Sequence, residues 1–186
     1  MQTDEILKGE KVTLRPLLLS DCTQEYADWL NDPEVNKYLE CRWQHHTIDT
    51  LKSFVQSIHN DKTSFMFAIE YNGKQIGNIK LNIQSQRYKR ADVGYFIGNK
   101  DFWGKGLATE AVKLIVNFGF EKLDLNKIVA GAFEQNLGSI KVLSKAGFCK
   151  EACFKKHSFL NDETSWSDVW EFGILKDDWK NFKKEK

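Results

Sequence analysis

No stretch of the 186-residue sequence approaches the roughly 20 consecutive apolar residues of a membrane span, and the opening MQTDEILKGEK has no apolar signal core. A soluble, cytoplasmic protein that makes no membrane contact is the expectation. Cysteine is sparse as well. Cys22, Cys41, Cys149 and Cys153 form no CxxC pair and sit near no His cluster of zinc-like spacing, so free thiols and no metal are expected. Neither sign of charge prevails: 27 basic against 26 acidic residues leave +1, which gives no general attraction to nucleic acid or an anionic surface. No basic, aromatic-interleaved stripe is present either, which argues against single-strand binding. Repeats, long linkers and low-complexity segments are missing.

What is present is the composition of a globular chain, 41% hydrophobic, 28% charged and 13% aromatic. The length suits one domain over residues 1–186, with a core that needs no staples and no room for a second catalytic domain. Residues 12–17, VTLRPL, alternate as a strand, with Pro16 near its end, where a missing N–H is tolerated. Asp21 is placed to cap a helix bearing Cys22, Tyr26, Trp29 and Leu30, which Asn31-Asp32-Pro33 breaks. A short helix over 35–39 follows. Thr47 caps a longer one with Ile48, Leu51, Phe54, Val55 and Ile58 as its apolar stripe. Residues 64–71 and 74–83 form a hairpin around Asn72-Gly73. A strand over 91–97 precedes a glycine turn and a helix to about residue 122; strand 127–133 and helix 136–146, ended by Gly147, come next. Strands 148–159 and 165–175 close the chain as a hairpin around Asn161-Asp162-Glu163. The last residues, KDDWKNFKKEK, read as a charged, solvated end with Trp179 and Phe182 placed to pack back. This order is an α/β arrangement around one mixed sheet.

The chemistry concentrates in ADVGYFIGNKDFWGKGLA, residues 91–108. Gly104 and Gly106 bracket Lys105 where a helix begins, so the backbone can bend tightly and its unpaired N–H groups can surround an anion. The helix dipole and Lys105 add positive charge, which suits a diphosphate. A P-loop needs GxxxxGK[ST], and Thr109 replaces the third glycine of a dinucleotide fingerprint, so neither nucleotide motif applies.

With its preceding strand, the turn resembles motif A of the GNAT acyl-CoA N-acetyltransferases, whose Gln/Arg-x-x-Gly-x-Gly/Ala pattern cradles the coenzyme A pyrophosphate. Asp101, Gly104 and Gly106 occupy the fixed positions, and Asp101 departs from the pattern. The whole chain is similar to the RimJ/RimL-like group, which includes enzymes acetylating ribosomal-protein N-termini and relatives acting on spermidine or amino sugars. The letters are VTLRPL, WLNDPEV, IGNI, ADVGYFIG with WGKGLATEA, and NLGSIKVLSKAGF. The resemblance implies a single mixed, mostly antiparallel sheet, helices on both faces, and a splayed strand pair, 91–97 and 127–133, holding the acyl-pantetheine arm. Gly94 and Gly98 suit a bulge and close backbone approach.

The implied acetyl-CoA contacts are Trp103, Gly104, Lys105, Gly106, Leu107 and Ala108 at the diphosphate and main-chain groups of Phe96 and Ile97 along the arm, the latter by strand-like pairing. Asn136 and Ser139 match the family's Asn-x-x-Ser/Ala positions, and also read as a helix cap. Acetylation needs a neutral amine, whereas a lysine-like amine has a pKa of about 10.4 and an α-amine about 8. Asp92, at the position of a catalytic glutamate in some relatives, is the candidate base; a carboxylate paired with Lys89 or Arg90 is the competing reading. The tyrosine acid of many relatives is replaced by Leu143, which leaves Tyr95 or solvent to serve the departing thiolate.

The acceptor side falls on residues 38–47 and 154–168, where Tyr38, Trp43, His45 and His46 are candidate substrate contacts. Six acids between residues 20 and 40 either draw in a cationic amine or serve helix starts. The resulting expectation is direct acetyl transfer in a ternary complex to a protein N-terminus, polyamine or amino sugar. A longer acyl donor and a noncatalytic acyl-CoA-binding module are the alternatives, and a homodimer is left open.

Overall fold

The computed structural model describes residues 3–160 and 164–184, so the Asn161-Asp162-Glu163 turn lies outside the described residues. Alternating apolar residues build eight strands within them. These are β1 (Leu7–Lys8), β2 (Val12–Pro16), β3 (Ser64–Tyr71), β4 (Lys74–Ser85), β5 (Arg90–Ile97), β6 (Lys127–Phe133), β7 (Cys149–Phe159) and β8 (Trp166–Leu175). They form one sheet in the order β1-β2-β3-β4-β5-β6-β8-β7, antiparallel at every junction except β5–β6. Asn72 and Gly73, at φ 50° and 74°, make the β3–β4 turn with both residues left-handed, as Asn-Gly hairpins require.

The period of two sends alternate residues of β5 to opposite faces. Ala91, Val93 and Ile97 are buried on one face with Ala111, Val112, Ile115 and Val116 of α4 (Leu107–Glu121). Phe96 lies on the other, against a cluster of Tyr26, Trp29 and Leu30 from α1 (Gln24–Asn31) and Leu51 and Val55 from α3 (Ile48–Asn60). A one-turn helix, α2 (Pro33–Asn36), follows α1, and α5 (Leu137–Lys145) packs beside α4 on the first face.

The single parallel junction is short. Arg90, Ala91 and Asp92 pair with Lys127, Ile128 and Val129, and the strands then part. Meanwhile β5 stays paired with β4 up to Ile97, and β6 with β8 up to Phe133. The sheet is therefore two ribbons joined at one end and open at the other.

Several local expectations change. Asp21 does not cap α1; Thr23 does, its hydroxyl oxygen accepting from the Tyr26 N–H at 3.2 Å. Asp21 is instead buried against Arg15, whose Nη1 and Nη2 donate to its two oxygens at 2.6 and 2.8 Å, while Arg15 Nε donates to Glu70 at 2.7 Å. A carboxylate six residues from an arginine has a stronger partner there than helix N–H groups. The irregularity in β4–β5 falls between Ile83 and Ser85 rather than at Gly94. The charged end forms a helix that was not expected, α6 (Lys176–Lys184); Trp179 and Phe182 pack back as expected, Trp179 at 3% exposure with its indole N–H donating to Asn117 on α4 at 3.4 Å. Phe54, assigned to the apolar stripe of α3, is 41% exposed.

Gly98 ends β5 where a side chain has no room: a Cβ would lie 2.2 Å from the Trp29 ring. Gly98→Ala is expected to destabilise the protein by about 1–3 kcal/mol, as an overpacked core does. The loss should shrink in a Trp29→Leu background, read as a coupling energy from urea unfolding of the four-member mutant cycle; strict additivity would show that the ring is not the obstacle.

Candidate functional site

Beyond Gly98 the chain makes a 3-10 turn over Lys100–Phe102 that the sequence reading passed over; the Asn99 side chain accepts from the Asp101 N–H at 3.0 Å. Trp103 then folds its indole back, and Nε1 donates to the Ile97 carbonyl at 2.8 Å. Gly104 and Gly106 follow at φ 73° and 81°. Open space surrounds both, since a Cβ at either would meet nothing within 4 Å. The left-handed backbone, not crowding, is what demands glycine here.

Helix α4 starts immediately, its first bond running from the Glu110 N–H to the Gly106 carbonyl at 3.1 Å. Among the described residues, the backbone N–H groups of residues 104–109 have no acceptor. Leu107 is buried and anchors the helix start, while Trp103, Gly104, Lys105 and Gly106 are exposed. Glu110, an acid in this turn, is engaged elsewhere: Oε1 accepts from the Lys11 N–H at 2.9 Å. Lys100 pairs with Asp32 at 2.8 Å and Glu34 at 2.7 Å, which ties the turn to α2 and holds the Asp32 carboxyl below its ordinary range. An exposed ring of unpaired N–H groups at a helix start, with no free carboxylate inside it, is built for an anion.

The gap between β5 and β6 adjoins this cradle. The Gly98 N–H donates to the Ile76 carbonyl at 2.8 Å, so by antiparallel alternation the main-chain groups of Phe96, Gly94 and Asp92 face β4. Those of Val93, Tyr95 and Ile97 face the gap. Phe96 is thereby corrected as a main-chain contact: its backbone belongs to the β4 ladder, and its ring lies 6.1 Å from that of Tyr26. The Ile97 carbonyl is held by Trp103, leaving its N–H on the gap side.

On the α4–α5 face, the Tyr95 hydroxyl lies 2.9 Å from Ser139 Oγ, and Asn136 caps α5 by accepting from the Ser139 N–H at 3.0 Å. Burial pushes the Tyr95 phenol up to about 12, against the opposing hydrogen bond from Ser139. Leu143 is fully buried in the core.

Asp92 projects from the opposite face. Its Oδ1 accepts from Asn82 Nδ2 at 3.0 Å. Lys89 is turned to Asp124, and among the described residues neither Lys89 nor Arg90 forms an ion pair with Asp92, so the competing pairing of that carboxylate is not formed. Past Asp92 the floor of this face is bare: Gly94 and Gly131 are both exposed, with nothing within 4 Å of a Cβ at Gly94 and only Val169 Cγ1, at 3.7 Å, near one at Gly131. At its far end Phe133 carries the Tyr38 ring at 5.5 Å and the Arg42 guanidinium at 5.2 Å; Trp43 covers the same guanidinium at 4.4 Å.

Arg42 was missed by the sequence reading. Its side chain is 2% exposed, Nη1 and Nη2 each donate at 2.7 Å to the Leu39 and Phe159 carbonyls, and Nε is buried without a partner. The residue sits among the acceptor candidates of 38–47, but only the fold brings β7 against it. His46 is corrected as a pocket contact: it is buried in the loop, its N–H donating to Asn31 Oδ1 at 2.9 Å and its ring Nε2 lying 2.9 Å from the Cys41 carbonyl. His45 is exposed. The acids of residues 20–40 mostly have partners, Asp21 with Arg15, Asp32 and Glu34 with Lys100, and Glu40 with Arg42. Two of them share the single charge of Lys100, and among the described residues Glu25 and Asp28 form no ion pair. All four cysteines are free, and no cluster of three or more metal-ligating groups occurs among the described residues.

Comparison with known proteins agrees with this geometry. Residues 11–149 match the family described as Acetyltransferase (GNAT) domain. The N-acetyltransferase p20 of Bacillus licheniformis is 31% identical over 177 residues, covering 92% of this chain and 97% of its own. The spermidine N(1)-acetyltransferase of Escherichia coli is 29% identical over 156 residues, 83% of this chain and 82% of its own. Among solved structures, Mycobacterium smegmatis RimJ in complex with CoA-disulfide superposes with a TM-score of 0.81 at 19% identity, covering 92% of this chain and 88% of that one. No helix among the described residues is long and apolar enough to cross a membrane.

Replacing Gly106 by Ala forces a left-handed L-residue, at about 1–2 kcal/mol, or rotates the cradle N–H groups away. Coenzyme A affinity, measured by calorimetry, is expected to fall about tenfold with the melting transition still cooperative. Unchanged affinity would show that the turn does not hold the ligand.

Proposed function

The chain belongs to the GNAT acetyltransferase family and is an acetyl-CoA-dependent N-acetyltransferase, and on that premise we propose that residues 1–186 form one catalytic domain passing the acetyl group directly to a primary amine in a ternary complex. The observation that carries this reading is the junction of the N–H cradle at residues 104–109 with the parted main chains of β5 and β6. Acetyl-CoA supplies the activated acetyl thioester.

The cradle amides, the α4 dipole and Lys105 hold the diphosphate. Gap-facing groups of Tyr95 and Ile97 align the pantetheine amides as a strand would, and Asn136 and Ser139 border the arm from α5. A gap-facing N–H also stabilises negative charge on the thioester oxygen as the amine attacks. Asp92 takes the ammonium proton through water, because its side chain is short; Asn82 fixes its orientation. The Asn82 amide is turned with nitrogen towards Asp92, since a carboxylate only accepts, and its Oδ1 lies 3.1 Å from the Ser64 hydroxyl.

The two candidate catalytic side chains lie on opposite faces, and only the opening between β5 and β6 lets both reach one reaction centre. Their tasks differ. A phenol at about 12 is a much weaker acid than a thiol near 8.5, so Tyr95 does not surrender its proton to the departing thiolate. Tyr95 instead stabilises that thiolate by hydrogen bonding while solvent protonates it. The acceptor is a protein N-terminus, a polyamine or an amino sugar; the similarity to an enzyme named for spermidine supports a small amine within that range.

Thiol release with product mass analysis, across N-terminal Ala and Ser peptides, spermidine and a 4-amino-sugar nucleotide, tests the reading. Coenzyme A binding with no acetylated product from any amine would overturn it. Asp92→Asn is expected to lower kcat/KM about 100-fold near neutrality, with the deficit narrowing as rising pH deprotonates the amine unaided; a full rate with an unaltered pH profile would remove Asp92 from the reaction. Tyr95→Phe should cost about tenfold in kcat with little change in acetyl-CoA KM, the worth of one hydrogen bond to a charged group. Because the phenol stays protonated up to about 12, Tyr95 should add no falling limb to the wild-type pH profile across the assay range.

A further inference from the structure

The floor beside Asp92 carries a second carboxylate that no element of the reaction uses. Glu171 lies on β8 opposite Gly131 of β6 and Ala152 of β7. Its neighbours in sequence, Trp170 and Phe172, belong to the core on the α4 face, so alternation turns Glu171 to the face that bears Asp92. The proximity of Val169 Cγ1 to a Cβ at Gly131 places the next-but-one residue of β8 on that same face.

The lysines of β6 and β7 nearest to it are engaged elsewhere. Lys127 pairs with Glu151 at 2.5 Å and Lys155 with Asp168 at 2.6 Å, while the Lys150 ammonium lies 4.0 Å from the Trp170 ring, on the other face. Among the described residues Glu171 has neither an ion pair nor a hydrogen bond, and it is half-buried. Between it and the gap stand only exposed Gly131 and, across the opening, exposed Gly94. Lys80 is paired in register with Gly94 on β4. The floor is thus negative towards β8 and positive towards β4, so a cationic tail of the acceptor is turned to one side.

We propose that Glu171 is a specificity-determining residue, which holds a second positive charge on the acceptor while the reacting nitrogen sits at the gap. This rests on the transfer reading above. Because β5 and β6 have parted, the middle of the gap lies more than one and a half strand spacings from β8, at least about 7 Å. The match is to a linear diamine whose far ammonium spans that distance. A monoamine of equal length leaves the carboxylate without a partner, and an amine carrying a carboxylate tail meets repulsion.

The first test is binding and needs no turnover. With coenzyme A present, dissociation constants for diaminobutane and butylamine are measured by calorimetry on the full chain, for wild type and Glu171→Gln. The expected result is diamine binding about tenfold tighter than monoamine binding in wild type, the scale of one partly shielded ion pair. That preference should collapse towards unity in Glu171→Gln and weaken in wild type as salt is raised. Glu171→Lys should shift preference towards an amine with a carboxylate tail. Equal affinities in wild type, or a preference kept by both variants, would overturn the assignment. Thiol release on these amines and on the wider panel above separates the two claims: the binding preference without release from any of them keeps Glu171 as a cation contact and removes the transfer reading, whereas release without preference does the reverse.

Discussion

Everything in this site depends on a ladder that stops after three residues. β5 and β6 are each bonded along their full length on their outer sides, to β4 and β8, yet to one another only at residues 90–92 and 127–129. Main-chain groups normally find partners when they leave water. Those of Val93, Tyr95 and Ile97 are therefore held rigidly in place by one neighbour and offered to whatever enters from the open side. An extended amide chain is the natural occupant, because it satisfies the same donors and acceptors that a missing stretch of strand would.

The opening also brings both faces of one strand to a common gap. Residues three apart on a strand point to opposite faces, which in a closed sheet would keep Asp92 and Tyr95 apart. Here they flank a hole through the sheet. Their surroundings differ accordingly. Asp92 sits half-exposed on a floor beside glycines, oriented by the Asn82 amide. Tyr95 is enclosed beneath α4 and α5, where burial keeps its proton in place. The two side chains thus sit in environments of opposite polarity.

Much of this was legible in the sequence because the signals were local. Asn72-Gly73, the glycines around Lys105, the Thr47 and Asn136 caps and Gly147 each force a backbone conformation whatever surrounds them, and strand β6 begins and ends where its apolar pattern does, at Lys127 and Phe133. What failed was set by distant partners. Asp21 left its helix for Arg15, and His46 was taken up by Asn31 and Cys41. The side of β5 that Phe96 presents to β4 follows from register, which no single strand encodes. Helix α6 was invisible because two aromatics in nine residues make a weak stripe, and only the surface of α4 turns Trp179 into an anchor. Arg42 looks like a loop cation until β7 arrives to bury it.

That burial has a mechanical consequence. The Arg42 guanidinium bonds carbonyls at Leu39 and Phe159, 120 positions apart in the chain, and is clasped between Trp43 and Phe133. Segment 38–43, the end of β6 and the end of β7 are thereby riveted into one block. Nε has no partner, so the clasp is made by Nη1, Nη2 and the two rings. The aromatic wall at the far end of the gap is thus tied through one side chain to three parts of the chain that are remote in sequence.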